Sequence, residues 1–408
     1  MTNLWWINHY AISPDQPGGT RHYDMGTELT RRGHHVTLFA SDINLSLRQH
    51  MKLKPGQRFL VEPYGDVNFV WVWAEIYQGN NWRRFWNMLT FAWNFRRVAL
   101  RMDRSSRPDV IIGSSPHPFA ALAAAHVARR LKSRFFLELR DLWPQALVDM
   151  GDVSEKHPAV RVMRKLEKNL YSRAEKIIIL AEGSREYLLK KGVPPERIVY
   201  LPNGVHLGHF QALSSREEAR AKYNLSQFTF VYTGAHGPAN NLETILTAAQ
   251  LLKGEPLEFL LVGDGPAKAA LMEKAKVEGI TNVRFIAPIP KEEIPTLLLA
   301  ADVGVITLKN AQAFAYGVSP NKLFDYMGAK LPVLCSVPGD MAKLVRQAQA
   351  GIVSTPENPE SLADAALTLF RLSYEERRYM GEEGYAYIAQ NFCRETLVEC
   401  LEGLLHDL

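Results

Sequence analysis

The chain alternates short apolar runs with longer segments of helical pattern along most of its length, which limits the folds it can adopt. Runs of about four to six apolar residues are typical of strands that are buried on both faces of a parallel sheet. The intervals between the runs leave room for crossover helices, so the pattern predicts repeated βαβ units. The predicted strands are 4–8, 36–40, 69–73, 110–113, 135–139, 176–180, 198–201, 228–233, 259–262, 283–286, 303–307, 332–335 and 351–354.

A chain of 408 residues exceeds what one hydrophobic core organises, so two domains are expected. The strand pattern breaks at 205–215 and restarts at Phe228. The sequence therefore predicts an α/β fold of two Rossmann-like, doubly wound parallel-sheet domains, 1–205 and 206–384. C-terminal helices at 385–408 are expected to pack back on the N-terminal domain. Such sheets bind ligands at the carboxyl ends of their strands, so a site is expected in a cleft between the domains.

The composition is that of an ordinary globular protein, with 47% hydrophobic and 22% charged residues. The longest apolar stretch, 119–128, is too short for a membrane-spanning helix, which takes roughly 18 or more apolar residues. No basic region precedes the apolar N-terminal residues, so a signal peptide is not expected. Cys335, Cys393 and Cys400 are too few and too scattered for a disulfide framework or a zinc cluster. These features together predict a reduced, cytoplasmic protein.

Positive charge is concentrated in 82–107, which holds seven arginines against one aspartate, whereas the whole chain carries a net charge of only +5. Helical periodicity places three tryptophans of this segment on one side, with Asn87 among the residues of the opposite, basic side. This pattern favours peripheral contact with an anionic membrane surface, and a core helix with a solvated basic face is the alternative. Binding of nucleic acid is not expected, because no recognised nucleic-acid module accompanies the segment. The predicted membrane-contacting residues are Trp82, Arg83, Arg84, Trp86, Trp93, Arg96 and Arg97.

Several metal and cofactor motifs are missing from the sequence. No two aspartates stand two positions apart, so there is no Asp-x-Asp metal clamp, and no Cys/His cluster has the spacing of zinc ligands. Gly263-Asp264-Gly265 follows a predicted strand, but Lys268 occupies the third glycine position of the dinucleotide fingerprint. Neither a metal ion nor a nicotinamide cofactor is therefore expected.

Two loops at strand ends are suited to phosphate. Residues 18–20, Gly-Gly-Thr, precede a predicted helix whose N-terminal N–H groups favour an anion, although a plain tight turn is the alternative. In 317–325, the N–H groups near Asn321 and Lys322 would start a helix beside the lysine ammonium. Asp325 would lie one turn further on, where it could accept hydrogen bonds from a diol such as ribose. A solvated, capped helix is the alternative for this segment.

In this order and spacing, the motifs resemble the retaining glycosyltransferases of family 4, which have the two-domain GT-B fold. The resemblance spans essentially all 408 residues. Residues 138–144 and the Trp/Arg-rich segment are similar to a narrower group, the bacterial L-fucosamine (N-acetyl-L-fucosamine) transferases of O-antigen and capsule assembly. The matching motifs are Gly18-Gly19-Thr20, Leu201-Pro202-Asn203-Gly204-Val205, Val262-Gly263-Asp264-Gly265-Pro266, Ala301-Asp302-Val303 and the segment 319–333.

The resemblance implies a nucleotide-sugar site in the second domain. The family's paired glutamates fall on Gly317 and Asp325, so only the ribose-binding acid is kept. The family's phosphate-binding Arg and Lys fall on Ala235 and Asn241, so Lys322 and Arg140 are expected to neutralise the diphosphate instead. Uracil is the expected base. The predicted donor-binding residues are Gly18, Gly19, Arg140, Gly234, His236, Asn241, Pro288, Ile289, Gly317, Val318, Asn321, Lys322 and Asp325.

Two residues of the first domain are predicted to be catalytic. His117 follows a predicted strand near the position of the family's active-site histidine, where a neutral imidazole could bond the donor sugar or the leaving group. Asp141 also follows a strand and could orient or deprotonate an acceptor hydroxyl. The alternatives are a loop histidine with its hydrogen bonds satisfied and an aspartate that caps a helix.

The resemblance implies transfer of a sugar from a UDP-sugar to a hydroxyl of a lipid-linked saccharide of the undecaprenyl-diphosphate type, with the anomeric configuration retained. No metal is expected, and the enzyme would work at the inner face of the cell membrane. A UDP-sugar epimerase is one alternative, since it can share the fold. A non-catalytic nucleotide-sugar-binding protein is another, because one glutamate and the Arg/Lys pair are lost.

Overall fold

The structure is a computed structural model that describes residues 1–16, 19–43, 49–77, 82–103, 106–145, 148, 153–210, 215–311 and 321–406. The chain forms two compact units, one of Met1–Pro202 with Val398–Leu408 and one of Asn203–Leu397. Both units are layered α/β structures built on a mainly parallel sheet, so the predicted fold class of two Rossmann-like domains is confirmed.

The first unit is organised around an eight-stranded sheet with the order β3-β4-β2-β1-β5-β6-β7-β8, in which all neighbours are parallel except β3 and β4. Because β1 has β2 on one side and β5 on the other, the chain winds outward from β1 in two directions. The strands are β1 Asn3–Ile7, β2 His35–Ser41, β3 Phe59–Tyr64, β4 Val67–Val72, β5 Val110–Ser114, β6 Arg134–Leu139, β7 Lys176–Ile179 and β8 Ile198–Tyr200. The helices are α1 Arg21–Arg31, α2 Trp82–Ala99, α3 Pro118–Leu131, α4 Pro158–Arg173 and α5 Gly183–Lys190.

The second unit contains a six-stranded, fully parallel sheet with the order β11-β10-β9-β12-β13-β14. Here β9 is the strand at which the winding reverses, since β10 and β12 flank it. The strands are β9 Phe228–Thr233, β10 Leu257–Val262, β11 Val283–Ile286, β12 Val303–Thr307, β13 Val333–Ser336 and β14 Gly351–Val353. The helices are α6 Arg216–Lys222, α7 Leu242–Leu251, α8 Lys268–Val277, α9 Ile294–Ala300, α10 Asn321–Gly328, α11 Asp340–Gln347, α12 Pro359–Arg371, α13 Tyr374–Asn391 and α14 Arg394–His406.

One strand of the first sheet is absent from the sequence prediction. β3 pairs antiparallel with β4, and its residues alternate between exposed and half-buried. Such an edge strand lacks the continuous apolar run that marks a central parallel strand, so a search for apolar runs misses it.

The C-terminal helices do not divide as expected at residue 385. Residues 385–397 belong to the second unit, because α13 packs there through glycine. A Cβ on Gly381 would lie 1.9 Å from the carbonyl oxygen of Lys330, so only glycine permits this approach. Residues 398–408 belong to the first unit, where Glu402 of α14 pairs with Arg32 at 3.2 Å and with His34 at 3.0 Å.

Candidate active site

The second unit presents its candidate site at the strand where the sheet winding reverses. Gly234 follows β9, and α10 follows β12, so the loop and the helix start lie at neighbouring strand ends. This is where doubly wound sheets bind ligands. Lys322, in the first turn of α10, donates a hydrogen bond from Nζ to Oη of Tyr232 at 2.9 Å, and its ammonium lies 4.2 Å from the Tyr232 ring centroid. A Cβ on Gly234 would lie 3.0 Å from that ammonium, so the lysine packs on bare backbone.

Lys322 and Asp325 lie three positions apart on α10, and each titrates close to neutral pH. Burial lowers the pKa of the Lys322 ammonium to about 7, although the Asp325 carboxylate opposes the shift. Burial also raises the pKa of Asp325 to about 6, against the effect of three cations, Lys291, Arg394 and Lys322. A lysine held near its pKa is a strong anion receptor once a phosphate favours its charged form. Lys291 and Arg394 are part of this charge environment, and neither is predicted from the sequence because they come from distant parts of the chain.

The loops after β9 and β10 pack backbone against backbone. Gly263 adopts a φ of +145°, and a Cβ there would lie 1.9 Å from the carbonyl oxygen of Gly234.

His236 is fully buried beside these loops, and neither of its ring nitrogens has a hydrogen-bond partner among the described residues. Burial and the nearby Lys268 lower the pKa of His236 to about 4, so the ring is neutral at pH 7 and can both donate and accept. Lys268 itself is engaged, because its Nζ donates to the carbonyl oxygen of Gly263 at 2.7 Å.

The other predicted donor-binding residues of the second unit differ in their exposure to solvent and in their hydrogen bonds. Asn321 is exposed at the start of α10, and Pro288 is exposed after β11, with Ile289 half-buried beside it. Asn241 adopts a left-handed conformation with φ of +49° before α7, and its Nδ2 donates to Oγ1 of Thr244 at 2.6 Å. Gly317 and Val318 lie outside the described residues, so the helix start can be followed only from Asn321 onward.

In the first unit, His117 is a buried, fully hydrogen-bonded residue. It precedes α3 as the N-cap, and its Nδ1 accepts a hydrogen bond from the N–H of Ala120 at 3.4 Å. Its Nε2 lies 2.7 Å from Nδ1 of His9, which follows β1, the strand where this sheet reverses its winding. Because Nδ1 of His117 accepts, its Nε2 carries the proton and donates to His9. His9 Nε2 is then the outer donor of the pair, and it has no partner among the described residues.

Burial keeps both histidines neutral. It lowers the pKa of His117 to about 3, with a smaller contribution from the charge of Arg84. It also lowers the pKa of His9 well below its usual value, and the charge of His117 adds to this shift. His9 is stacked on the ring of Phe91 with a centroid distance of 4.1 Å, which fixes its plane. His9 is not predicted from the sequence, since a single polar residue after a strand carries no motif.

Asp141 and Arg140 follow β6 in the same unit. Burial by the surrounding protein raises the pKa of the Asp141 carboxyl, and the charges of Arg140 and Arg84 oppose this shift. Part of the Asp141 side chain nevertheless stays exposed to solvent. Nη1 of Arg140 is buried with no partner among the described residues, so it is available to an anion. Arg84, one of the predicted membrane-contacting residues, also acts through its charge on His117, Asp141 and Tyr10.

A buried charge network fixes the strand ends beneath these groups. Glu138 of β6 is fully buried and accepts hydrogen bonds from Nε of Arg21 at 3.2 Å and from Nε2 of His22 at 2.9 Å. Burial alone would raise the pKa of Glu138, but His22, Arg21 and Arg140 hold it well below its usual range. The network anchors the first turn of α1, which follows Gly19; Gly18 lies outside the described residues.

Helix α2 has two faces, and the polar positions predicted for its solvated side include buried ones. Asn87 is fully buried and donates from Nδ2 to the carbonyl oxygen of Glu75 at 2.6 Å, so it holds the chain after β4 rather than facing solvent. The tryptophans of the predicted membrane face are exposed: Trp82 by 72%, Trp86 by 49% and Trp93 by 54%. Arg83 and Arg97 are exposed with them, and Arg96 is half-buried over the Trp93 ring. Among the described residues, no helix has the length and apolar character required to cross a membrane.

One group of potential metal ligands occurs among the described residues. His34, Glu402 and His406 place ligand atoms within 4.8 Å of one another. Both oxygens of Glu402 already accept hydrogen bonds, from His34 and from Arg32. This group therefore joins α14 to the turn after α1.

Comparison with known proteins matches both units to sugar-transfer families. Residues 18–204 match the family model described as glycosyl transferase 4-like domain, and residues 215–387 match glycosyl transferases group 1. The chain is 24% identical to a Pseudomonas aeruginosa protein named as glycosyltransferase WbjE, over 75% of this chain and 77% of that one. It is 26% identical to WcaI of Escherichia coli (strain K12), named for colanic acid biosynthesis, over 56% of this chain and 57% of that one.

A solved structure extends the match to the whole fold. HepE of Anabaena in complex with UDP-glucose superposes with a TM-score of 0.72 at 16% identity and covers 100% of both chains. The two family matches follow each other along the chain and divide near the boundary of the two units. The chain belongs to the family 4 glycosyltransferases and has their GT-B fold.

Proposed function

We propose that the protein transfers a sugar from a UDP-sugar to a hydroxyl of a lipid-linked saccharide in the assembly of a bacterial surface polysaccharide, with the anomeric configuration retained. The observation that carries the proposal is the pair Lys322 and Asp325 on α10, at the strand end where the second sheet reverses its winding. A diphosphate and a ribose need a cation and a diol acceptor a few ångströms apart, which one helical turn provides.

The donor would be held as follows. The N–H groups at the start of α10 and the Lys322 ammonium bind the diphosphate, and the protonated amine offsets charge on the leaving group. The carboxylate of Asp325 accepts hydrogen bonds from the ribose hydroxyls. His236, neutral and without a partner among the described residues, donates to a phosphate or sugar oxygen. The uracil lies against the turn at Pro288 and Ile289.

The proposed reaction needs no resident metal, since the lysine and the helix N–H groups carry the positive charge. Addition of a chelator should leave turnover unchanged, whereas loss with EDTA and recovery with manganese would contradict this part of the proposal.

The first unit would supply the acceptor side. Asp141, with its raised pKa, orients the acceptor hydroxyl and accepts its proton. The pair His117 and His9 presents one neutral N–H donor, Nε2 of His9, toward the reacting sugar. His117 then acts through His9, so it is a positioning residue rather than a direct contact. Arg140 offers its unpaired Nη1 to a phosphate.

The polysaccharide context rests on WcaI, which is named for colanic acid biosynthesis, and the choice of UDP rests on HepE, which was solved with UDP-glucose. N-acetyl-L-fucosamine is the sugar proposed from the similarity at 138–144. The exposed tryptophans and arginines of α2 would place the protein on the anionic inner face of the cell membrane.

The test is an assay of UDP release and product formation with a panel of UDP-sugars and a lipid-linked saccharide acceptor. We expect release that requires the acceptor, and a product whose anomeric signal in NMR matches that of the donor. An epimer formed from UDP-N-acetylglucosamine without acceptor would assign the protein to the epimerases. Tight UDP binding with no turnover on any acceptor would make it a nucleotide-sugar-binding protein.

A further inference from the structure

A long groove lies between α2 and α3 of the first unit, apart from the donor-binding and acceptor-activating groups proposed above. Its volume is about 1100 Å³, just above the roughly 300–1,000 Å³ of ordinary small-molecule pockets. On α3 the lining residues Phe119, Leu122, Ala123 and His126 repeat at the spacing of one helix face. On α2 the lining extends from Trp86 to Val98, which corresponds to a length of about 18 Å at 1.5 Å per residue.

The walls of the groove are apolar, yet the groove is open to solvent. Leu89, Ala92, Leu122 and Ala123 form the middle of the wall, and Trp86 and Trp93 line it while staying about half exposed. Exposed aromatic surface of this extent on a single groove marks a binding surface rather than a random patch. The shape and the lining suit one extended apolar chain.

The charge around the groove is positive. Five arginines contribute to the lining, and the described lining residues include no carboxylate. Arg96 lies over the Trp93 ring at 5.1 Å and Arg58 over the Trp73 ring at 4.9 Å, so two guanidinium groups are held at the groove by aromatic faces. The positive electrostatic potential also acts on His126, because burial and the charges of Arg96 and three further arginines lower its pKa. The lining arginines are Arg58, Arg96, Arg97, Arg101 and Arg173.

A guanidinium group can donate two parallel hydrogen bonds to the oxygens of a phosphate, and aromatic and aliphatic walls bind hydrocarbon. An anionic amphiphile satisfies both parts of the groove at once, whereas a free phosphate leaves the apolar wall bare and a neutral lipid leaves the arginines without a counterion. The groove also leads toward the catalytic groups, since Phe119 of its lining is two residues from His117 and packs on Phe85 with a centroid distance of 5.1 Å.

We propose that this groove binds the lipid end of the acceptor, a single isoprenoid chain that ends in a diphosphate, with the chain between α2 and α3 and the diphosphate on the arginines. This assignment rests on the proposed function, because it gives the lipid-linked acceptor its binding site. It differs from general attraction to a bilayer, which needs only the exposed face of α2.

The probe is farnesyl diphosphate, a short soluble chain of this chemistry, titrated by calorimetry and by the fluorescence of the exposed tryptophans. We expect saturable binding of one molecule per chain, and at least tenfold weaker binding of inorganic diphosphate and of farnesol. The double variant Arg96→Gln/Arg97→Gln should bind farnesyl diphosphate at least tenfold more weakly. Ala92→Trp, which fills the wall without removing charge, should abolish binding.

Arg161→Gln is the matched control, since Arg161 lies on α4 with Arg173 but outside the groove. It should bind farnesyl diphosphate as the wild type does. UDP affinity, measured on the same samples, should be unchanged in all variants. Their circular dichroism and thermal unfolding should match those of the wild type, which shows that the first unit is folded. If the wild-type protein does not bind UDP, that result counts against the proposed function and not against the groove.

Three results would overturn the groove assignment. One is the absence of saturable binding of farnesyl diphosphate to the wild type, and another is equal affinity in the Arg96→Gln/Arg97→Gln variant. The third is flotation on vesicles of anionic phospholipid that depends on Arg96 and Arg97, together with no binding of the soluble probe. That pattern would assign the arginines to the bilayer surface.

Discussion

Raising the pH should weaken the binding of UDP to the wild-type protein more than to a Lys322→Gln variant. Burial lowers the pKa of Lys322 to about 7, so its amine changes from mostly charged to mostly neutral across the neutral range. A diphosphate binds the charged form, and affinity is therefore highest below the pKa and falls as the pH rises through it. Glutamine keeps a hydrogen-bond donor at this position but has no charge to lose.

The size of the effect follows from the two protonation states. A hydrogen bond from a charged group contributes about 1.5–3 kcal/mol, or roughly a 12- to 150-fold preference for the ammonium form. With a pKa near 7, weighting the two forms by their populations gives a fall in affinity of about five- to ninefold between about pH 6 and about pH 8.

The assay is calorimetry of UDP binding at several pH values, in two buffers of different ionisation enthalpy to count the protons taken up. The ratio of the wild-type to the Lys322→Gln affinity is the quantity to compare, because the titrations of Asp325 and of UDP itself affect both proteins. We expect the advantage of the wild type to be largest at low pH, with more protons taken up around neutrality by the wild type than by the variant. Parallel curves for the two proteins would refute the assignment of Lys322 to the diphosphate.

Further predictions concern the other groups of the site. Asp325→Ala should weaken UDP binding by roughly 1–3 kcal/mol through the loss of its bonds to ribose, and unchanged affinity in calorimetry would remove it from the site. His117→Ala and His9→Ala should each lower turnover by a larger factor than UDP affinity, and equal activity of both variants would exclude the pair. Gly263→Ala should destabilise the second unit in thermal unfolding, because its Cβ would lie 1.9 Å from the Gly234 carbonyl oxygen. An unchanged melting temperature would show that the two loops can separate at little cost.

The fold can largely be predicted from the sequence because central parallel strands have a recognisable, mostly apolar pattern. Most residues of β9 and β10 are buried and are apolar or aromatic, so the positions of these strands can be recognised from the sequence. β3 cannot be recognised in this way, since half of its residues face solvent. The position of α13 in the second unit depends on a close contact at Gly381, which is a property of packing and not of a local pattern.

The site is only partly predictable for a similar reason. Lys322 and Asp325 lie on one short motif, so spacing alone brings them together. Arg394 acts on Asp325 from the start of α14, and His9 meets His117 from another strand, so neither association is visible along the chain. Helical periodicity identifies the faces of α2 but does not tell which neighbour each face meets. It places Asn87 on the basic side of the helix, whereas Asn87 is buried, and it does not show that the charge of Arg84 acts on His117 and Asp141.

The most direct measurement is a crystal structure of the protein with UDP bound. We expect a diphosphate oxygen at hydrogen-bond distance, about 3 Å, from Nζ of Lys322 or from the first N–H groups of α10, with the ribose hydroxyls at a similar distance from Asp325. Density for UDP elsewhere on the chain, with Lys322 still bonded to Tyr232 and Asp325 free of ligand, would contradict it.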